Sequence, residues 1–511
     1  TQILSGLVGS EMCIRDRFYN RNASCINKSF ETNTTISSIG QGTITPLQKP
    51  NKPRGPLENI RPLTLSNCSR KLLSMITLKR IQSKLNYFTG SSQSAYKRGR
   101  SCGDIVWSQR MMVGIVLRKQ WQFHKMGVDM SSAFDTIKRD TILNVLTEVG
   151  CSEDDVRLVR TLLCNTKLSI RVNNSVSEIF NSIIGAFQGD CLSGNLFTVV
   201  LAAALHHLRA VLSVRATTPY LVTHPIPNPP ISDSLMPLES EYADDVDFLN
   251  ENRDALLQIL PICTTVFNEW NLFINNTKTE HTHVYLAPPK PLKRNKVDHT
   301  QTYRGSEEWS THKILGSLLD TSTDIQARCT KGLIAFNIFE NIWLKKTKIC
   351  LKRKLQIYEA QVVSILLYNC SSWAAPQTTL EKLDITHRKH LRRILNIRWP
   401  GVISNKCLYE RCKTEPLSSR VAIARWRLFG HILRGDKDSP AYLAILFSIE
   451  KNRLSVCKPR LGRPITNLLD VLKNDLYVRG LKNYNLIEMN DLYEIEALAY
   501  NRSEWKKLEK V

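Results

Sequence analysis

Two carboxylate motifs stand out among residues that could do chemistry. They are Val128-Asp129-Met130-Ser131-Ser132-Ala133-Phe134-Asp135 and Glu241-Tyr242-Ala243-Asp244-Asp245-Val246. Each sets aspartate beside apolar, strand-forming residues, where an unpaired charge is costly and a cation relieves the cost. Three such carboxylates drawn to one point can hold a pair of Mg²⁺ ions (or Mn²⁺), hard cations that take oxygen ligands. A metal pair activates an attacking hydroxyl oxygen and neutralises a leaving pyrophosphate, which is the equipment of nucleotidyl transfer. Taken alone, each motif has a plainer reading. Asp-x-Ser-Ser ahead of a helix is a capping device, and Asp-Asp in a turn is ordinary surface chemistry.

The elements around the motifs decide between these readings. Residues 125–129 read as a short strand ending in Asp129, and 241–249 as a hairpin with the Asp pair at its turn. If the two strands are neighbours, the three carboxylates converge. Residues 61–87 read as a helix with Leu72, Leu73, Ile76, Leu78 and Ile81 as its buried stripe. Residues 104–118 and 139–148 read as further helices, the second stopped at Gly150. Residues 168–172 and 177–184 resemble paired strands joined by Asn173-Asn174. Residues 196–212 form a buried helix, and a proline-rich insertion follows up to Pro237. Residues 253–270 are helical with a kink or break at Pro261, and 283–286 form a strand. The layout is α+β, a sheet with helices on one face. After Leu315 the strands end, and basic helices are expected over 324–339, 351–368, 380–395 and 419–433.

The company of the two motifs resembles a known family. Gly185-Ala186-Phe187-Gln188-Gly189-Asp190-Cys191-Leu192-Ser193-Gly194-Asn195-Leu196-Phe197 resembles the Gln-Gly, Leu-Ser, Leu-Phe signature of reverse transcriptases. Asp129 to Asp135 resembles their first palm motif and Tyr242-Ala243-Asp244-Asp245 their active-site box. Leu272-Phe273-Ile274-Asn275-Asn276-Thr277-Lys278-Thr279-Glu280 resembles the next palm motif, and Lys313-Ile314-Leu315-Gly316 the primer grip. Ile60-Arg61-Pro62-Leu63 and Gln93-Ser94-Ala95-Tyr96-Lys97-Arg98-Gly99-Arg100-Ser101 resemble finger motifs. The C-terminal motifs around Arg398-Trp399-Pro400, Gly430-His431 and Gly462-Arg463-Pro464 resemble those of non-LTR (LINE-type) retrotransposons. The resemblance covers roughly residues 45–511 and implies a right-hand polymerase. Its divisions are a non-native or disordered segment over 1–44, fingers over 45–124, palm over 125–318 and helical thumb over 319–400. A helical nucleic-acid-binding region over 401–511 follows. The start at Thr1 and the adapter-like residues 9–17 lead us to expect a chain truncated before its endonuclease.

Roles carry over by resemblance, residue by residue. Asp129, Asp244 and Asp245 would hold the metals, and Lys278 would protonate the leaving pyrophosphate. Phe134 would wall off the 2′-OH, favouring dNTPs. Gln188 and Gly189 would line the nucleotide pocket, and Arg61 and Lys49 would meet the triphosphate. Lys97, Arg98 and Arg100 would contact the template backbone. Trp399, Trp426 and Phe429 are expected as core anchors between helices, with base stacking as their other use. Two residues depart from the family pattern: Asp190, expected to weaken triphosphate binding, and Gly194. Asp247 is a third oddity, polar in an apolar strand and on the same face as Asp245.

Composition agrees with a polyanionic partner. Lys plus Arg number 70 against 46 acidic residues, a net charge of +24 spread along the chain. At 42 % hydrophobic the chain can bury a sizeable core. Its 14 cysteines contain no CxxC pair and read as free thiols of a reduced, intracellular protein; the family resemblance implies the nucleus and cytoplasm as its compartments. Cys407, Cys412, His431 and Cys457 lack zinc-site spacing, and no apolar run reaches the roughly 18 residues of a membrane span. The expected function is RNA-directed DNA synthesis with RNA template, DNA primer, dNTPs and Mg²⁺. RNA-templated RNA synthesis is opposed by Phe134, and the alternative of another class is an inactive relic that only binds nucleic acid.

Overall fold

Asp129 lies just beyond the central strand of a five-stranded sheet, and the order of that sheet sets the site. The structure, a computed structural model, describes residues 24, 37–49, 52–119, 123–214, 239–250, 252–276, 278–285, 306–309, 311–453, 465–484, 486 and 488–510. In this sheet β3 (Phe123–Val128) lies between β8 (Asp245–Asn250) and β9 (Glu280–Val284). The edge strands are β7 (Glu239–Tyr242) and β10 (Ser306–Glu308). β3 runs antiparallel to both neighbours, with Val128 opposite Val246 and Gly127 opposite Asp247. A second sheet pairs β1 (Gln41–Gln48) antiparallel with β2 (Ile60–Ser66) and parallel with β4 (Thr166–Val172). β4 also pairs with β5 (Ser175–Val176), across Asn173-Asn174, and with β6 (Phe180–Ser182). β11 (Lys313–Ile314) and β12 (Ser317–Leu318) form a small separate hairpin.

Helices cover both faces of the central sheet, not the one face expected. Side chains alternate along a strand, so Met126, Val128, Val246 and Phe248 point to one side. There they join a core with α1 (Cys68–Phe88), α3 (Arg139–Glu148), α4 (Glu153–Leu163), α5 (Ser193–Val214) and α6 (Arg253–Glu269). Phe123, Leu249 and Val284 point to the other side, onto α2 (Cys102–Arg118). α2 is buried around nearly its whole circumference and starts with a Ser101–Asp104 capping box. Its far side packs on C-terminal helices: α11 (Leu417–Leu433), α12 (Pro440–Arg453), α13 (Leu468–Val478), α14 (Met489–Tyr500) and α15 (Arg502–Lys507). Nothing near residue 105 in sequence announces partners beyond residue 417, so local pattern could not show the second layer.

A third core holds α7 (Thr321–Phe339), α8 (Leu351–Tyr358), α9 (Gln377–Ile394), α10 (Asn405–Cys412) and the first turns of α11. It is tied to the sheet layer through Asp324, which is 1 % exposed. Asp324 Oδ2 accepts from Arg110 of α2 at 2.7 Å and from the Trp373 indole at 3.0 Å. Its Oδ1 accepts from the Leu318 backbone N–H of β12 at 3.1 Å.

Other local expectations meet the structure unevenly. Residues 60–66 are strand β2, not the start of a helix, and strand β1 begins at Gln41, inside the segment over 1–44 expected to be non-native or disordered. In α1 the inward residues are Arg70, Leu73, Ser74, Thr77, Ile81 and Leu85, whereas Leu72 and Ile76 are exposed. Leu73 and Ile81 of the expected stripe are thus buried and Leu78 packs against the same core, but the inward face turns away from Leu72 and Ile76 to include Arg70, Ser74 and Thr77, polar residues that an apolar pattern does not count. α6 runs unbroken through Pro261. Ser193–Leu212 is long and apolar enough to span a membrane, with a mean hydropathy of 1.5, but it lies in the core beside β3. Described cysteines are free thiols. Residues 9–17, the insertion over 219–237 and Gly462-Arg463-Pro464 fall outside the described residues.

Candidate active site

The β7–β8 hairpin turns on Ala243 and Asp244, and Ala243 adopts a left-handed φ of 57°. A non-glycine residue there costs about 1–2 kcal/mol and needs support. Gln93, 1 % exposed, supplies it. Its Oε1 accepts from the Ala243 N–H at 3.0 Å and its Nε2 donates to the Ala243 carbonyl at 3.4 Å. Beside it, the Ser94 N–H donates to the Glu241 carbonyl at 3.0 Å, and the Glu241 N–H to the Ser92 carbonyl at 3.2 Å. The 93–101 motif thus extends the edge of the sheet and clamps the turn that carries Asp244. Sequence reading took that motif for its cations and missed Gln93.

β3 and β8 bring Asp129, Asp244 and Asp245 to one cleft. Burial, with the Asp129 charge, raises the Asp244 carboxyl, while Arg61 and Lys278 draw it down. Enclosure and the charges of Asp244, Asp247 and Asp129 push Asp245 up to about 6, against Lys125. Crowded carboxylates of this kind gain by taking up a cation, and an all-oxygen donor set suits a hard divalent one. The Lys278 ammonium already sits on Asp129 Oδ2 at 2.9 Å. Among the described residues, no three acidic, His or Cys side chains form a closed metal cage as they stand. A cation on Asp129 would compete with Lys278.

Under the cleft lies a cavity of about 200 Å³ lined by Lys125, Asp129, Asp245, Lys278, His312 and Lys313 among others. Asp247 belongs to its wall and is not an orphan charge. Lys125 binds its Oδ1 at 2.7 Å and Gln109 Nε2 donates to its Oδ2 at 2.6 Å. Lys125 also donates to His312 Nε2 at 2.7 Å. Burial and the Lys125 charge push His312 far down, so its ring is neutral and Nδ1–H faces Thr282 Oγ1 at 2.9 Å.

The remaining expected residues fall into three groups. Around the cleft, the Phe134 ring is half-buried and stacks on Phe197 with centroids 4.7 Å apart. The Gln188 carbonyl accepts from the Thr64 N–H of β2 at 2.9 Å. Gly189 has φ 111°, and a side chain there would press within 3.1 Å of the Thr64 carbonyl, so this close approach requires glycine. Arg61 is exposed on β2 and within electrostatic reach of Asp244. Away from the acids, Lys49 donates to the Glu58 carbonyl at 2.6 Å within the β1–β2 connection. In the 93–101 loop, Lys97 caps the Asn86 and Gly90 carbonyls after α1, and its ammonium is lowered to about 8, chiefly by burial. Arg100 pairs with Asp436 at 3.5 Å and His431 bonds the Gly99 carbonyl, so α11 braces this loop. Arg98 is exposed.

The departures have structural reasons. Asp190 faces away from the cleft: Oδ2 takes the Arg70 Nε–H at 3.1 Å and the Ser74 hydroxyl at 3.0 Å, with the ion pair 2 % and 4 % exposed. The expectation that it opposes a triphosphate is therefore corrected. Arg70 keeps the Ile39 and Leu162 carbonyls and the Phe187 ring without it. Asp190→Ser should accordingly cost about 1.5–3 kcal/mol in urea unfolding, with nucleotide affinity unchanged. At Gly194 a Cβ would stand 2.4 Å from the Tyr96 ring, so the bare glycine seats that exposed aromatic at the start of α5.

A central sheet carrying paired acidic motifs, fed by a strand-rich segment and followed by a helical bundle, defines a right-hand α+β polymerase. The family model described as "Reverse transcriptase (RNA-dependent DNA polymerase)" matches residues 47–316, and the chain belongs to that family. Reverse transcriptases use divalent metal ions. The chain is 25 % identical over 365 residues to the "Retrovirus-related Pol polyprotein from type-1 retrotransposable element R2" of Popillia japonica, covering 70 % of this chain and 47 % of that one. It is 24 % identical over 487 residues to the protein of the same description from Bradysia coprophila, covering 86 % and 51 %. The chain thus spans about half the length of these relatives. Among solved structures, apo telomerase from Candida Tropicalis is similar with a TM-score of 0.43 at 12 % identity, covering 95 % of this chain and 74 % of that one.

Proposed function

We propose that the chain is the RNA-directed DNA polymerase of a non-LTR retrotransposon, adding dNTPs to a DNA primer on an RNA template. The observation that carries this reading is the register of β3 on β8, which sets Asp129 beside the Asp244-Asp245 turn. In this reading Asp129, Asp244 and Asp245 hold two Mg²⁺ ions, which would lower the barrier by neutralising charge on the attacking and leaving oxygens. Arg61, across the cleft, takes the triphosphate. Lys49 acts only if it leaves the Glu58 carbonyl. Lys278, 2.9 Å from Asp129, would be the proton donor to the leaving pyrophosphate, and Asp129 would be shared between this ammonium and a bound cation. Gln188 and Gly189 form the nucleotide floor against β2. Arg98 is the loop cation open to the template; Lys97 and Arg100 shape the loop that presents it.

The test is extension of a labelled DNA primer annealed to RNA, with dNTPs and Mg²⁺. Product from the parent chain is expected; its absence under all metal and salt conditions overturns the reading in favour of a nucleic-acid-binding relic. Phe134 gives a second readout. Its ring is fixed by Phe197, so Phe134→Val opens space without moving the wall. Discrimination against ribonucleotides should fall about tenfold or more, measured as the ratio of kcat/KM for dNTP and NTP.

A further inference from the structure

Trp426 and Phe429 are core residues at 0 % exposure, as expected, but Trp399 is 88 % exposed. Its indole is not on a slack segment. The Gly401 N–H donates to the Arg398 carbonyl at 2.8 Å, closing a turn with Trp399 and Pro400 at its corners. The base of the loop is tied by Arg392, which donates to Asn405 Oδ1 at 2.8 Å, and by the Ile397 N–H on the Arg392 carbonyl at 2.9 Å. A large apolar ring held out in water by an ordered turn is a preformed contact.

Its surroundings are cationic. Arg393, next to Arg392 at the end of α9, binds Glu340 Oε1 at 3.0 Å, and Lys345 reaches the same carboxylate at 3.4 Å. That link sets the end of α9 beside Lys345, the first residue of a basic run that holds Lys345, Lys346, Lys348, Lys352, Arg353 and Lys354. No acidic residue occurs from 341 to 358, and Glu340 is already neutralised by its two partners. Trp343, 45 % exposed, precedes the run.

We propose that Trp399, Trp343 and this basic run bind single-stranded RNA outside the catalytic cleft. Aromatic faces stack on unpaired bases while cations follow the phosphates, a pairing that duplexes cannot use because their bases are already stacked. An acidic protein partner would use the cations but has no need of two exposed indoles. The choice of RNA over DNA rests on the polymerase reading, in which the unpaired strand is the template. The site thus holds template that is not yet, or not ever, copied.

The test is fluorescence anisotropy of the full chain with a labelled 20-nucleotide single-stranded RNA, a DNA of the same sequence and a duplex RNA. Trp399→Ala should weaken single-stranded RNA binding about tenfold and leave duplex binding unchanged, with Trp399→Phe restoring most of the loss. Lys346→Gln/Lys348→Gln should flatten the salt dependence by about two units of slope at most. Because these side chains are exposed, parent-like melting is expected and separates binding from folding. Parent affinity in Trp399→Ala overturns the proposal, as does equal loss toward duplex or tighter binding of the DNA. Primer extension on a template with only a few unpaired nucleotides beyond the primer 3′ end, too short to reach the turn, reports the polymerase reading separately, and Trp399→Ala should leave it unchanged.

Discussion

Asp244→Asn will reduce RNA-templated DNA synthesis by about 10³-fold or more, since metal-bound charge stabilisation is worth several kcal/mol and each 1.4 kcal/mol is tenfold. The substitution keeps the side-chain shape and removes the charge. The turn survives it, because Gln93 grips the backbone of Ala243 and not the Asp244 side chain. Template affinity should stay within a factor of about two, because phosphate contacts and not this carboxylate set it. Single-turnover extension beside anisotropy with primer–template checks both halves. Synthesis at the parent rate would remove Asp244 from the site. Loss of both synthesis and fold would show that the hairpin depends on that side chain after all.

Asp324→Ala will destabilise the chain by about 3–5 kcal/mol, the cost of leaving a buried cation without its partner. Arg110, 3 % exposed, loses its carboxylate, and the Trp373 indole and Leu318 N–H lose their acceptor in the same step. The effect should exceed that of Asp190→Ser because Asp324 serves three elements at once. Urea unfolding measures it. The double variant Arg110→Met/Asp324→Leu should recover only part of the loss: it removes the unpaired Arg110 charge, but the Trp373 indole, the Leu318 N–H and Arg328, 3.4 Å from Asp324, still lack their acceptor. Residual variant protein should also extend primers less far per binding event, because Asp324 joins α2, the β11–β12 hairpin and α7.

The parts of the site legible in the sequence were those set by neighbours in the chain. Strand β3, the β7–β8 hairpin, the Asn173-Asn174 turn and α3 follow local rules, and the structure has them where those rules put them. What stayed hidden depends on partners far away. Asp190 looked like a charge aimed at a nucleotide because its partner Arg70 stands 120 residues earlier. Asp247 looked out of place in an apolar strand because Lys125, Gln109 and His312 gather around it only in the folded sheet. Gln93 carries no charge and so gave no signal, although the turn under Asp244 hangs on it. The indoles of Trp399 and Trp426 could not be told apart by type; one has Trp505 stacked on it at 3.9 Å and the other has solvent.

The packing of α2 against α11–α15 has a consequence for how the protein is made. A ribosome releases residues 102–118 long before residue 417 is polymerised. At roughly 5–20 residues per second, the intervening stretch takes on the order of 15–60 s to emerge. Throughout that delay Trp107, Met111, Met112 and Ile115, all within 1 % of full burial in the finished molecule, have no covering helices. The nascent chain therefore carries a greasy, unsatisfied surface while residues 119–416 are made, and the maturation of α2 waits on helices encoded far downstream of it.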